Sequence, residues 1–162
     1  MADQWQSFTN KKLHFARLQI EAWEGAEKGD ADSYREAFLF HAASAYKSLI
    51  AEVMASYGLA VEMLSDLATA VKQLEKVGRQ SSELTQMKNM EVGNGWLSVL
   101  LSAYSLVSRP AYGQTDDKIE SQALIAVVNP DNFKIESVEG ARKVLACLKE
   151  QVAYIRNLNV EY

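Results

Sequence analysis

The segment from Ser33 to Tyr57 constrains the fold more than any other part of this sequence. It reads SYREAFLFHAASAYKSLIAEVMASY, and apolar residues occur on more than one side of nearly every helical turn. A helix with one apolar stripe lies on the surface of a domain, whereas a helix that is apolar around most of its circumference lies in the middle. We therefore predict that this segment is the central helix of an all-α domain, and that Gly58 breaks or bends it.

Two apolar stripes run along this central helix, and each needs a packing partner. The first stripe consists of Phe38, His41, Ala42, Ala45, Leu49 and Val53. In the simpler interpretation, other helices of the same chain cover both stripes. In the alternative, the second stripe and the neighbouring Phe40 form a surface for a dimer or another partner. The residues of this candidate interface are Leu39, Phe40, Ala43, Tyr46, Ile50 and Met54.

Helical periodicity and helix-stop residues divide the rest of the chain. Apolar residues three and four apart predict helices over about 4–28, 59–77 and 96–107, of which the second stops at Gly78. They also predict one helix capped by Ser81 or Ser82 and a last one over 137–157 capped by Ser137. Asp32 or Ser33 is the expected N-cap of the central helix, where Ser33 and Glu36 have the spacing of a capping box. Residues 108–135 hold both prolines and the apolar run ALIAVV, which predicts an irregular crossover. The sequence thus predicts one helical bundle over residues 1–162, with about five helices and a long crossover before the last.

Composition excludes several classes of protein. The chain has 162 residues, 48% of them hydrophobic and 23% charged, which is typical of one folded domain. A net charge of −4 argues against nonspecific binding to nucleic acid. Cys147 is the only cysteine, so no internal disulfide can form, which is typical of a reducing compartment. No stretch approaches the roughly 18 apolar residues of a membrane span, and no signal peptide is recognisable. We expect a soluble cytoplasmic protein.

Residues that bind metals or cofactors are scarce. The two histidines, His14 and His41, and Cys147 form neither a Glu-x-x-His nor a Cys-x-x-Cys pattern, so no metal site is predicted. The glycines of Gly93-Asn94-Gly95 lie within a helical pattern without the Gly-Lys-Ser/Thr ending of a phosphate-binding loop. They predict a kink or a close contact between helices, and no cofactor is expected. Lys11, Lys12 and Arg17 are close together on the first helix, but acidic residues around them indicate a solvated face.

Arg35 and His41 are the one pair that supports an enzyme hypothesis. Their Arg-x5-His spacing resembles the Arg-x4–6-His motif of HEPN-domain ribonucleases, which are also small helical bundles. That resemblance implies RNA cleavage without metal, by an arginine and a histidine that meet across a dimer interface. Histidine can transfer a proton near neutral pH and arginine can stabilise phosphorane-like charge. On one regular helix, however, residues six apart point roughly 120° away from each other.

Several packing motifs resemble those of one small family. They are the opening TNKKLHFA from Thr9, the central EAFLFH from Glu36, the segment NGWL from Asn94 and the final amphipathic helix. Together they resemble an all-helical family from gammaproteobacteria that is catalogued as a domain of unknown function. The resemblance covers nearly the whole chain and implies a bacterial cytoplasmic protein without an assigned activity. Where that family usually has serine before the tryptophan, this chain has Gly95, so the expected serine cap is missing.

Taken together, these patterns favour a noncatalytic role. The absence of a convincing polar constellation and the two-sided apolar helix predict a helical-bundle protein that acts through protein contacts or self-association. The alternative is a HEPN-like, metal-independent ribonuclease or nucleotide-handling enzyme that uses Arg35 and His41 as its catalytic residues. The sequence does not identify the partner, the ligand or the biological process.

Overall fold

The computed structural model describes residues 2–110 and 134–160. Within these residues all regular secondary structure is helical, which confirms the predicted all-α fold. Most of the predicted crossover, including the ALIAVV run, lies outside the described residues. In chain order the six described helices are α1 (Ala2–Glu24), α2 (Ala31–Ser56), α3 (Leu67–Lys76), α4 (Ser82–Val92), α5 (Trp96–Val107) and α6 (Val138–Val160).

Helix α2 is the centre of the bundle, as its two apolar stripes predict. It contacts each of the other five described helices. Fourteen of its 26 residues are buried, and they occur around most of its circumference from Phe38 to Met54. Because the backbone of a helix satisfies its own hydrogen bonds, a helix with apolar side chains on several sides can be enclosed at little polar cost.

Helix α1 packs along α2 through a narrow buried seam. Its buried residues recur at alternating intervals of three and four, which is the spacing of a coiled-coil interface. The small Ala16 faces α2 at a position with no exposed surface, and Ala42 and Ala45 of α2 are equally buried, which permits close approach of the two helices. Thr9 and Ser48 join their hydroxyl groups by a buried hydrogen bond across the same seam. The buried seam residues of α1 are Thr9, Leu13, Ala16, Ile20 and Trp23.

Glycines end two helices at the positions that the sequence predicts. Gly58 follows α2 with φ of 78°, and Gly78 follows α3 with φ of 70°, values that favour glycine because it lacks a Cβ. After α2, the amides of Gly58 and Leu59 donate to the carbonyls of Ala55 and Met54, at 2.9 and 3.2 Å. The same pair of bonds follows α3. Both ends are Schellman motifs, in which the left-handed glycine lets the chain turn back on the last helical carbonyls.

Two predicted helix starts are wrong. Helix α2 begins at Ala31, and the preceding Asp30 makes no side-chain cap, because a backbone turn from Glu27 already leads into the helix. The predicted cap at Asp32 or Ser33 is therefore inside the helix. Helix α3 begins at Leu67 rather than at residue 59, since the Asp66 carboxylate accepts a hydrogen bond from the Thr69 amide at 2.8 Å and starts a new helix.

The caps predicted for α4 and α6 are confirmed. The Ser81 hydroxyl accepts a hydrogen bond from the Leu84 amide at 3.1 Å. The Ser137 hydroxyl accepts one from the Gly140 amide, also at 3.1 Å. In both cases serine satisfies an amide in the first turn that has no partner within the helix.

Most of the candidate interface on α2 lies in the core. Leu39, Ala43, Tyr46, Ile50 and Met54 are each at most 1% exposed, because the other helices of the chain cover this stripe. They are therefore buried in the single folded chain, where they offer no surface to a partner. Phe40 differs from them, since 49% of its side chain is exposed.

Buried polar groups link the central helix to α4 at two points. The Tyr46 hydroxyl donates to Glu91 at 2.6 Å, and burial together with this carboxylate raises the pKa of Tyr46. The Tyr57 hydroxyl donates to Glu83 at 3.0 Å, and the Ser81 hydroxyl donates to the same carboxylate at 2.6 Å. Burial by itself raises the pKa of Glu83, but the hydrogen bonds from Ser81, its own amide and Tyr57 outweigh it and lower the pKa.

The lowered pKa of Glu83 predicts a loss of stability in acid. A carboxyl group whose pKa is lower in the folded than in the unfolded chain stabilises the fold above the unfolded pKa of about 4.3, and this contribution is lost as the pH falls through the folded value. Glu83→Gln should reduce the free energy of unfolding at pH 7 by about 1–3 kcal/mol, and the difference from wild type should shrink toward pH 3. Urea unfolding at several pH values measures this difference in the free energy of unfolding. Glu62→Gln is the control, because Glu62 is exposed. An equal pH dependence of stability in both variants would refute the assignment of this acid sensitivity to Glu83.

None of the helices in residues 2–110 and 134–160 combines the length and the apolar content needed to cross a membrane.

Candidate interaction surface

Helices α1 and α2 together form a partly exposed cluster of aromatic rings and lysines, which we call the aromatic–lysine surface. The Lys12 ammonium lies 5.2 Å from the ring centre of Phe8, 5.8 Å from that of Phe15 and 5.3 Å from that of Phe40. Lys11 lies 5.5 Å from the Phe15 ring. These distances permit cation–π attraction, so the lysines hold the rings in place. The surface consists of Phe8, Lys11, Lys12, Phe15, Phe40 and His41.

Helical periodicity explains why these side chains meet. Phe8, Lys12 and Phe15 are spaced by four and three residues, so they follow one line along α1. That line runs beside the buried seam that contains Thr9, Leu13 and Ala16. Residues next to the buried seam lie at the edge of the neighbouring helix. The rings of α1 therefore lie beside Phe40 at the surface of α2. The exposed Phe40 is therefore part of a cluster of rings and is not an isolated surface residue.

His41 is part of this surface and is half-buried. Its ring packs edge-on against Phe15 and Phe40, with a centroid distance of 5.3 Å to each. Burial, together with the positive charge of Lys12, lowers the pKa of His41, so the imidazole is neutral near pH 7. Its Nδ1 atom is buried and makes no hydrogen bond in the described part of the chain.

Arg35 has a different environment from His41. Its Nε donates to the carbonyl oxygen of Ile135 at 2.6 Å, so the guanidinium holds the chain that leads into α6 against the start of α2. In the described residues no hydrogen bond or ring contact joins Arg35 to His41. Within one copy of the chain, the structure thus does not bring the two predicted catalytic residues together, in agreement with their angular separation on one helix.

In residues 2–110 and 134–160, no three His, Cys, Asp or Glu side chains are grouped so that they could hold a metal ion. Cys147, on α6, is partly buried.

Sequence reasoning missed two features that the structure places together. The first is the convergence of Phe8, Lys12 and Phe15 on Phe40, for which the signal was the spacing of aromatic and basic residues beside the α1 seam. The second is an ion pair between Glu52 of α2 and Arg156 of α6, with Glu52 only 3% exposed. An acidic residue within the apolar stretch of α2 was a signal for this pair, because a buried carboxylate requires a partner.

Comparison with known proteins assigns the chain to a family. No curated protein and no solved structure matches this sequence. A sequence model described as "Family of unknown function (DUF6586)" matches residues 1–162, the whole chain. This agrees with the resemblance to a family of unknown function that the packing motifs indicate. A match over the full length is sufficient to establish membership, and the chain therefore belongs to this family of unknown function, DUF6586.

Proposed function

We propose that this protein is a noncatalytic helical module that acts through protein contacts, and that it associates with a second copy of itself through the aromatic–lysine surface. The observation that carries the proposal is the exposure of Phe40 within a cluster of rings on an otherwise deeply buried helix. Exposed aromatic clusters are typical of interfaces, and aromatic residues supply much of the binding free energy there.

Charge favours a second copy as the partner. Lys11 and Lys12 make no ion pair within the described residues, and neither does Glu36. Glu36 is exposed and precedes Phe40 by one helical turn, so it lies on the same side of α2. The surface therefore carries both signs of charge around an aromatic centre. In a two-fold dimer the same surface meets itself, and the lysines of one copy can face Glu36 of the other.

The rings are also preorganised for binding. Phe15 and Phe40 each contact both Lys12 and His41, so their positions are already restricted in the single chain. Ordering side chains on association costs about 0.5–1.5 kcal/mol for each mobile side chain, and this cost is reduced when the side chains are held beforehand.

Phe40→Asp tests the proposed dimer. Light scattering coupled to gel filtration should give the wild-type protein about twice the chain mass of 18.1 kDa, and the variant a single chain mass. The reason is that a buried unpaired carboxylate opposes association. Met63→Asp is the matched control, since Met63 is 75% exposed and belongs to the connection between α2 and α3. A wild-type protein of single chain mass at high concentration, or a dimeric Phe40→Asp variant, contradicts the proposal.

Charge reversal tests the two-fold pairing itself. Lys12→Glu and Glu36→Lys should each weaken the dimer, because like charges then face each other across the interface. The variant with both changes should recover the wild-type mass. If each single variant keeps the wild-type dimer, or if the combined variant does not recover it, Lys12 and Glu36 do not face each other.

The ribonuclease alternative remains a separate prediction with its own test. The noncatalytic proposal predicts that single-stranded RNA is not cleaved by the wild-type protein in the presence of a chelator. Cleavage that is lost in both His41→Ala and Arg35→Ala would refute the noncatalytic role. Circular dichroism of both variants confirms that they remain folded.

A further inference from the structure

A second site lies away from the aromatic–lysine surface, where the start of α5 faces α6. A groove of about 580 Å³ opens there, lined among others by Gly95, Trp96, Glu150, Gln151 and Tyr154. The groove is shallow and open to solvent, and its volume is large enough for a small molecule that remains partly exposed. The groove contains hydrogen-bond donors, a carboxylate and two aromatic side chains, which are the components of a ligand site.

The amides at the start of α5 have no cap. Gly95 is the N-cap residue, and among the described residues no side chain accepts a hydrogen bond at this end of the helix. The first intrahelical bond runs from the Val99 amide to the Gly95 carbonyl, so the earlier amides of the first turn lack a helical partner. Together with the helix dipole, such amides attract a negatively charged oxygen.

Gln151 independently indicates a ligand at the same place. Its side chain is only 9% exposed, and its Nε2 atom is buried without a hydrogen-bond partner in the described residues. A buried amide donor without a partner is unfavourable, so such groups are rare in folded proteins. The last torsion of glutamine is soft, which allows the amide to turn toward an acceptor in the groove. An oxygen bound at the start of α5 would supply that acceptor.

The rest of the groove defines the chemistry of the ligand. Glu150 is exposed beside Gln151, and its negative charge opposes a simple anion but attracts an ammonium group. Trp96 and Tyr154 present aromatic surface, and Tyr154 is 47% exposed. A carboxylate, an ammonium group and an apolar side chain on neighbouring atoms are the features of an α-amino acid.

We propose that this groove binds a free α-amino acid with an apolar side chain. The ligand carboxylate accepts hydrogen bonds from the first-turn amides of α5 and from Gln151, the ammonium group lies near Glu150, and the side chain packs on Trp96 and Tyr154. The assignment is independent of self-association through Phe40, because the two sites share no residue.

Titration calorimetry of the full chain with L-leucine and L-phenylalanine tests the proposal. At least one of them should bind about tenfold more tightly than the analogues that lack one charge, isoamylamine and 4-methylpentanoate for leucine, or phenethylamine and 3-phenylpropionate for phenylalanine. Nuclear magnetic resonance should show shifts of the Trp96 amide and of the Gln151 side-chain amide on binding. The absence of binding by both amino acids at millimolar concentration overturns the proposal, and equal binding of the carboxylate analogue overturns the role of the ammonium group.

A pair of substitutions at one position locates the site. A Cβ at Gly95 meets no atom within 4 Å, so both alanine and serine fit there. The serine hydroxyl of Gly95→Ser can accept hydrogen bonds from the first-turn amides and compete with the ligand, which should weaken binding about tenfold, whereas Gly95→Ala should bind like wild type. Gln151→Leu should also weaken binding while leaving the fold intact. Equal affinities of the serine and alanine variants, or wild-type affinity of Gln151→Leu, refute this location.

Discussion

Arg156→Ala is expected to reduce the free energy of unfolding by about 3–5 kcal/mol, because it leaves a buried carboxylate without a partner. Arg156 donates from Nε and Nη2 to the two oxygens of Glu52, at 2.9 Å each. Glu52 is 3% exposed and the Arg156 side chain 26%, so water replaces the lost contacts poorly. Arg156 also donates to Asn10 at 3.0 Å, which joins α6 to both α1 and α2.

Two further variants identify the cause of this loss. Replacing both partners, as in Glu52→Leu with Arg156→Met, should restore most of the stability, since a buried ion pair can be exchanged for apolar packing at little cost. Arg142→Ala is the matched control, because Arg142 pairs with Glu24 at the surface, where both side chains are about half exposed. Urea unfolding followed by circular dichroism measures all of them. If Arg142→Ala costs as much as Arg156→Ala, burial of Glu52 is not the cause.

Phe38→Ala is expected to reduce the free energy of unfolding by about 3–5 kcal/mol, since it removes a large buried ring and leaves a cavity in the centre of the bundle. Phe38 has no exposed surface and lies on α2, which contacts all the other described helices. A cavity at this position cannot be filled by the collapse of one surface helix, because several helices meet there.

Phe40→Ala is the control for this prediction, two residues away on the same helix. Its ring is 49% exposed, so the substitution should cost less than about 1 kcal/mol in the single chain. The comparison is made at low protein concentration, so that loss of a dimer does not contribute. Similar losses in Phe38→Ala and Phe40→Ala would contradict both the assignment of the core and the exposure on which the proposed interface depends.

Local signals predicted those features of the fold that depend on neighbouring residues. The all-α class, the central position of α2, the stops at Gly58 and Gly78 and the caps at Ser81 and Ser137 all follow from periodicity or from one side chain and the nearest amides. The start of α3 was misplaced because residues 59–66 contain helix-compatible apolar residues, while the Asp66 cap and the turn after Gly58 decided the boundary.

The candidate sites depended on contacts that periodicity does not specify. Helical spacing identified two stripes on α2 but could not tell which of them other helices cover, so Leu39, Ala43, Tyr46, Ile50 and Met54 were assigned to an interface and lie in the core. Phe40 was recognised as unusual, but its neighbours on α1 were not. Gln151 gave no signal at all, because a glutamine on an amphipathic helix is ordinary until the packing of α5 against α6 buries it.

By itself, the sequence determined that the described chain folds into helices, that α2 is enclosed and that glycine and serine set several helix ends. These properties arise from interactions within one or two helical turns, where side-chain identity and spacing are sufficient. Only the tertiary structure decided that Glu52 meets Arg156, that Lys12 lies among three rings and that the start of α5 opens toward Gln151. Each of these arrangements joins residues of different helices. It depends on how the helices rotate and pack against one another, which the summed burial of all the apolar faces determines.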